Sequence, residues 1–282
     1  MHFVNPFKAL RPTTEFASEV AIPSIDYLTE DTKKDQEKNN PWSYLNVFNA
    51  ENMSKAKQQF ESMKKKTILS KDNKNYFYLY RISNNNSTQI GVVGTAKLSS
   101  YRDFNVRGHE DIFLQLAETR LKQMDNLNAQ IGPIYGVCPD NDDLKNLMNK
   151  ESDKPPTYSF NALDECKHEM WIIEEEDKIK KISNLFDSIK RIYIADGHHR
   201  MEALLKLSET KKQQNKDHTG NEPYNFFMVA VFPKSQVTID PSSSVPQIEN
   251  VISVADKRQT MPPKSTWFDP KPLDGLVAFD FK

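Results

Sequence analysis

Asp196, Gly197, His198, His199 and Arg200 stand in a row. One carboxylate, two imidazoles and a guanidinium within five residues can bind an anion or move a proton. The apolar run Ile192, Tyr193, Ile194, Ala195 precedes them, and Met201, Leu204 and Leu205 beyond them repeat at helical spacing. This predicts a strand, a tight glycine turn and a helix start. The first N–H groups of such a helix lack intrahelical partners and carry the positive end of its dipole, which favours a phosphate or carboxylate there. Arg200 can add a two-pronged fork to the same anion. In the competing reading Asp196 is an N-cap, Gly197 eases the turn, and the histidines are part-buried groups satisfied by neighbours. Three cationic or proton-exchanging groups at a helix N-terminus oppose the dipole, and such a local cost is kept more often at a site than in scaffold.

Other residues carry candidate chemistry. His109-Glu110 heads an expected helix, where a proton carrier beside a carboxylate suits general-base work or a divalent ion, and scaffold use is an equal alternative. His168-Glu169 heads an expected strand. Adjacent strand residues face opposite ways, so structural use is favoured for that pair. Near the C-terminus Lys264 sits in a diproline loop with Trp267 and Phe268, able to hold an anion or planar base or simply to close the core. Asp26 is the notable acid of the proline-pinned N-terminal segment. Cys138 and Cys166 have no CxxC spacing, so they are expected to be reduced and structural, and no metal site is assigned. A metal hydrolase built on His109, His198 and His199 ranks last, because neighbouring helix residues diverge by about 100 degrees.

The elements that must position these residues alternate between strand and helix. Met53, Ala56, Phe60 and Met63 mark a helix ending near Lys66. Residues 76–82 and 89–98, separated by an asparagine-rich turn, predict an antiparallel hairpin. A helix over 111–127 is expected to use Ile112, Leu116, Leu121 and Met124, followed by a strand over 134–138. Residues 139–158 read as an exposed connection or short surface helix, a soft boundary between an N-terminal α/β region (1–150) and a C-terminal region (151–282) carrying the box. Beyond it come a strand over 169–173, a helix over 178–189, a strand over 192–195 and an apolar strand over 225–232 that belongs in the centre of a sheet. The fold class is α/β or α+β, with mixed β-sheets flanked by helices.

Composition narrows the function classes. In 282 residues, 38 Lys and Arg against 39 Asp and Glu give a net charge of -1. No global field selects nucleic acid or an anionic membrane. The longest apolar run, 226–232, is far shorter than the roughly 20 residues of a membrane helix, and the first residues lack a signal-peptide pattern. A cytoplasmic protein is expected, with its oligomeric state undetermined.

Taken together, Phe7 to Pro12, Val20 to Tyr27, Asn40 to Leu45, Tyr76 to Arg81, His109-Glu110, Asn128 to Pro133, Ile194 to Arg200 and Met261 to Pro270 make the chain resemble the family catalogued as domain of unknown function ten-fifteen. The family's glycine-His-His-Arg turn is in turn similar to the nucleotide-phosphate turn of the ParB and sulfiredoxin superfamily, which includes a kinase for free serine. That similarity implies a ParB/sulfiredoxin-like element around the box. Asp196, Gly197, His198, His199 and Arg200 would then bind the phosphates of ATP or ADP with Mg, joined by Lys264. Sulfiredoxin's reactive cysteine is replaced by His198, which argues against sulfinic-acid reduction. The leading expectation is a nucleotide-dependent phosphotransferase acting on a small hydroxylated metabolite such as serine, with Glu110, Asp26 and His198 as the catalytic candidates. The alternative is a non-catalytic nucleotide sensor or a ParB-like nucleic-acid-binding regulator. Two departures qualify the match: Pro23-Ser24-Ile25-Asp26 replaces the family's Pro-Pro-Tyr-Asp, and the stretch near 240–245 is shorter than the family's.

Overall fold

Hydrophobic patterning resolves into two sheets with helices packed on them. The computed structural model describes residues 2–23, 28–48, 52–238, 252 and 271–281. In chain order the strands are β1 (Leu10–Pro12), β2 (Leu69–Lys71), β3 (Phe77–Ser83), β4 (Thr88–Lys97), β5 (Val106–Arg107), β6 (Ala129–Ile131), β7 (Ile134–Cys138), β8 (Tyr158–Asn161), β9 (Lys167–Ile173), β10 (Ile192–Asp196), β11 (Phe226–Pro233) and β12 (Ala278–Asp280). The helices are α1 (Ala17–Val20), α2 (Glu30–Asn39), α3 (Met53–Lys65), α4 (Ser99–Arg102), α5 (Leu114–Leu127), α6 (Asp142–Ser152), α7 (Glu176–Ile189) and α8 (His198–Gln214).

The larger sheet has eight strands in the order β5-β10-β7-β11-β4-β3-β9-β8. It is mixed: β10 runs parallel to β5 and β7 parallel to β11, while the other neighbours are antiparallel. Every residue of β11 is buried, as its unbroken apolar sequence demands, and it lies between β7 and β4 inside the sheet. The smaller sheet, β2-β1-β12-β6, is antiparallel throughout. The eight-stranded sheet takes β3, β4, β5 and β7 from before residue 150 and β8 to β11 from after it, so both regions share one core. The 139–158 connection is mostly helix α6, capped by Asn141 through the Leu144 N–H.

The expected helices and hairpin form with shifts of a few residues. The differences lie at α5, which starts at Leu114 and not at 111. Its buried face is Ala117, Gln123, Met124 and Leu127, whereas Leu116 is exposed. The residues before it, which include His109 and Glu110, are an irregular loop after β5. Helix α5 packs on α8, and α8 lies against β7. That packing brings the β5–α5 loop over the start of α8. Among the described residues no helix is long and apolar enough to cross a membrane.

Candidate functional site at the start of α8

Strand β10 slips register against β7 between Ile194 and Asp196, a bulge that ends regular pairing and re-aims the Asp196 side chain. Gly197 follows at φ +100, a left-handed conformation that L residues rarely adopt, and the chain turns directly into α8. The expected strand, glycine turn and helix are all present. The capping alternative for Asp196 does not hold, because Gly197 is the N-cap and, among the described residues, no side chain caps the helix. No acidic residue stands in its first turn either.

Two groups of side chains flank this junction. On one side Asp196 accepts from Arg200 Nη2 at 2.8 Å and from Lys271 Nζ at 3.1 Å. Arg200 also reaches Asp274 Oδ1 at 3.3 Å. Burial pushes the Asp196 carboxyl up, and Lys271 and Arg200 overcome it, holding the group well below the usual carboxylate range. The arginine is therefore neutralised by two carboxylates, which differs from an unengaged fork awaiting an anion. Gly132, at φ +76, permits the arrangement: a Cβ there would lie 1.8 Å from Asp274 Oδ1 and 2.7 Å from Arg200 Nη1.

On the other side the β5–α5 loop delivers His109, Glu110 and Phe113. The His109 backbone N–H donates to His198 Nε2 at 3.2 Å, which leaves the His198 proton on Nδ1, 3.0 Å from Glu110 Oε2. That second contact has ion-pair distance without hydrogen-bond alignment. Burial pushes the Glu110 carboxyl up, and His198 outweighs it, so Glu110 is held below its ordinary value and is ionised at neutral pH. The His109 ring packs edge-on against His198 at 4.8 Å and is fully buried, with neither ring nitrogen in a well-formed hydrogen bond. Burial, aided by His198, pushes its pKa down to about 4 despite Glu110. His199 accepts from the Phe113 N–H at 3.0 Å, and the two rings stack 10° from parallel with centroids 5.8 Å apart. Burial lowers its pKa too. Phe113 is half exposed, so its outer face is open to solvent.

The structure thus brings together Glu110, Asp196, Gly197, His198, His199 and Arg200. Asp26 and Lys264, the remaining expected site residues, lie outside the described residues, as does the 261–268 loop. Sequence reasoning missed Lys271, Asp274 and Phe113. The first two sit more than 70 residues from the box with no motif around them, and pairing across that separation leaves no local signal. Gly132 was the one available hint, a glycine needed for close approach and assigned only to a helix end. His168 and Glu169 do part company as expected: Glu169 pairs with Arg81 and Lys167, His168 with Asp164 and Tyr80. Cys138 and Cys166 are both buried, and neither is in a disulfide.

These features define a mixed-sheet α/β protein with a strand–glycine–helix junction ringed by acids and bases. The chain belongs to the family described as protein of unknown function (DUF1015), whose pattern matches residues 4–245. The match ends at the stretch singled out above as shortened. Neither the curated proteins nor the solved structures include a match to this chain.

Proposed function

We propose that this protein is a nucleotide-dependent phosphotransferase acting on a small hydroxylated metabolite, with serine-like acceptors as the leading class. The observation that carries the reading is the start of α8, a helix N-terminus with no side-chain cap among the described residues and no acid in its first turn, met by a glycine turn at the end of a strand. Such a junction suits phosphate oxygens. Phe113, stacked on His199 and open on its other face, suits a planar base beside it. Glu110 supplies an ionised carboxylate to take the acceptor's hydroxyl proton, and His198, held at Nε2 by the His109 N–H and 3.0 Å from Glu110 through Nδ1, positions that carboxylate. Asp196 accepts from Arg200 and Lys271 beside the junction, and in this reading it is the carboxylate that would face a magnesium ion carried by ATP or ADP.

One observation favours a second reading, a nucleotide sensor without turnover. The Arg200 guanidinium is held between Asp196 and Asp274, so it is costly to swing onto a transferred phosphoryl group. Thermal-shift titration with ATP and ADP, with and without Mg²⁺, followed by phosphate-transfer assays on amino acids, separates the readings. Phosphotransfer predicts a rise in Tm with Mg-nucleotide and labelled product that disappears in Glu110→Gln while nucleotide binding persists. Binding without product supports the sensor. No shift with any nucleotide, or equal affinity in wild type and Arg200→Ala, overturns the nucleotide site itself.

A further inference from the structure

A second cluster lies at the far edge of the eight-stranded sheet, in the turn joining β8 to β9. Asp164, Cys166 and His168 alternate along the chain, and one donor atom from each lies within 4.8 Å of the others. Cys166 immediately precedes β9 and His168 is its second residue, and with two residues per repeat they share one side. Asp164 folds back to them, its Oδ1 accepting the Cys166 N–H at 3.1 Å, and Glu165 takes φ +60 to make the bend. His168 is fully buried and Cys166 nearly so, while Asp164 stays partly exposed and gives the cluster its opening to solvent.

We propose that Asp164, Cys166 and His168 form a binding site for a borderline-soft divalent cation of the zinc class, with the fourth position left to water. The donor set selects the ion: a thiolate with an imidazole and a carboxylate suits zinc-like metals, while magnesium and calcium take oxygen ligands. Geometry agrees. His168 Nε2 already lies 3.1 Å from both Asp164 oxygens, and neighbouring donors on a tetrahedral zinc stand about 3.3–3.6 Å apart. Cys166 Sγ lies within 4.8 Å of both, and side-chain rotation closes the remaining gap.

On binding, the Cys166 thiol proton leaves to solvent and the imidazole proton moves from Nε2 to Nδ1. Tyr80 Oη, 2.7 Å from Nδ1, becomes the acceptor of that N–H, an outer hydrogen bond that fixes the ring's orientation. One thiolate and one carboxylate neutralise the dication, which suits a buried position. Tyr80 Oη also accepts the Leu273 N–H at 3.1 Å, and Leu273 adjoins the Asp274 that pairs with Arg200. The Tyr80 hydroxyl therefore links the histidine of this cluster to the C-terminal segment that serves the α8 site.

The test titrates chelator-treated, reduced full-length protein with Zn²⁺ and Co²⁺. One equivalent bound, a thiolate-to-cobalt charge-transfer band, proton release and a higher Tm are expected. Cys166→Ser should lose the band and weaken binding at least tenfold, Asp164→Asn should weaken it by a similar factor, and Cys138→Ser should match wild type. In parallel, zinc should protect Cys166 of the wild type from alkylation, a readout independent of how the variants fold. Absence of stoichiometric binding, equal binding by the Cys166→Ser and Cys138→Ser variants, or alkylation of Cys166 at the same rate with and without zinc overturns the proposal.

Discussion

Acidification should destabilise this protein in a window set by one residue, His109. Its ring is fully buried, packed edge-on against His198, and its nitrogens lack well-formed hydrogen bonds. Among the described residues, Glu110, His198 and Asp196 are the charged or titratable groups that act on it. Burial lowers its pKa from 6.5 to about 4, so between those values the unfolded chain binds a proton that the folded chain refuses. Stability is then complete above pH 6.5 and falls as the pH drops toward 4. The full loss is about 3 kcal/mol, at a slope approaching 1.4 kcal/mol per pH unit in mid-window. His199 adds to the loss in the same direction. Carboxylates held low, such as Asp196 and Glu222, lose their contributions only at lower pH. Urea unfolding of wild type and His109→Leu between pH 4.5 and 7.5 isolates the residue. The variant removes the titrating group and its unsatisfied nitrogens, so its stability should fall less steeply, with the curves converging or crossing on acidification. Parallel curves would refute the reasoning, as would an NMR titration placing His109 near 6.5.

Gly132→Ala should lower stability by about 2–4 kcal/mol, combining the left-handed backbone cost with displacement of Asp274 and Arg200, and a thermal scan should show Tm falling roughly 5–15 °C. Phe113→Ala should weaken ADP binding about tenfold and leave tripolyphosphate binding unchanged, because only the base can stack. Calorimetry with both ligands checks this, and equal losses would assign Phe113 a structural role.

Periodicity and punctuation determined most of the elements by themselves. β-branched and aromatic content on either side of an asparagine-rich turn marks β3 and β4, unbroken apolarity marks the central β11, and glycine after an apolar run marks the turn into α8. The box at Asp196 to Arg200 was legible for the same reason, since its residues are contiguous and their geometry is local. Its neighbour pair His109-Glu110 was visible as chemistry but not as a partner. Only the packing of α5 on α8 set those side chains against His198.

What tertiary structure alone decided is which charges answer which. Arg200 looked like an anion-binding fork in the sequence, and Asp274 and Lys271, arriving with the C-terminal segment, turned it and Asp196 into a four-membered charge network. Cys166 has no CxxC partner in the sequence, yet a backbone bend at Glu165 gathers Asp164 and His168 around it. Local patterns report the conformation of neighbours in the chain. Contacts between distant segments depend on how sheets close and helices pack, and those leave no trace in spacing.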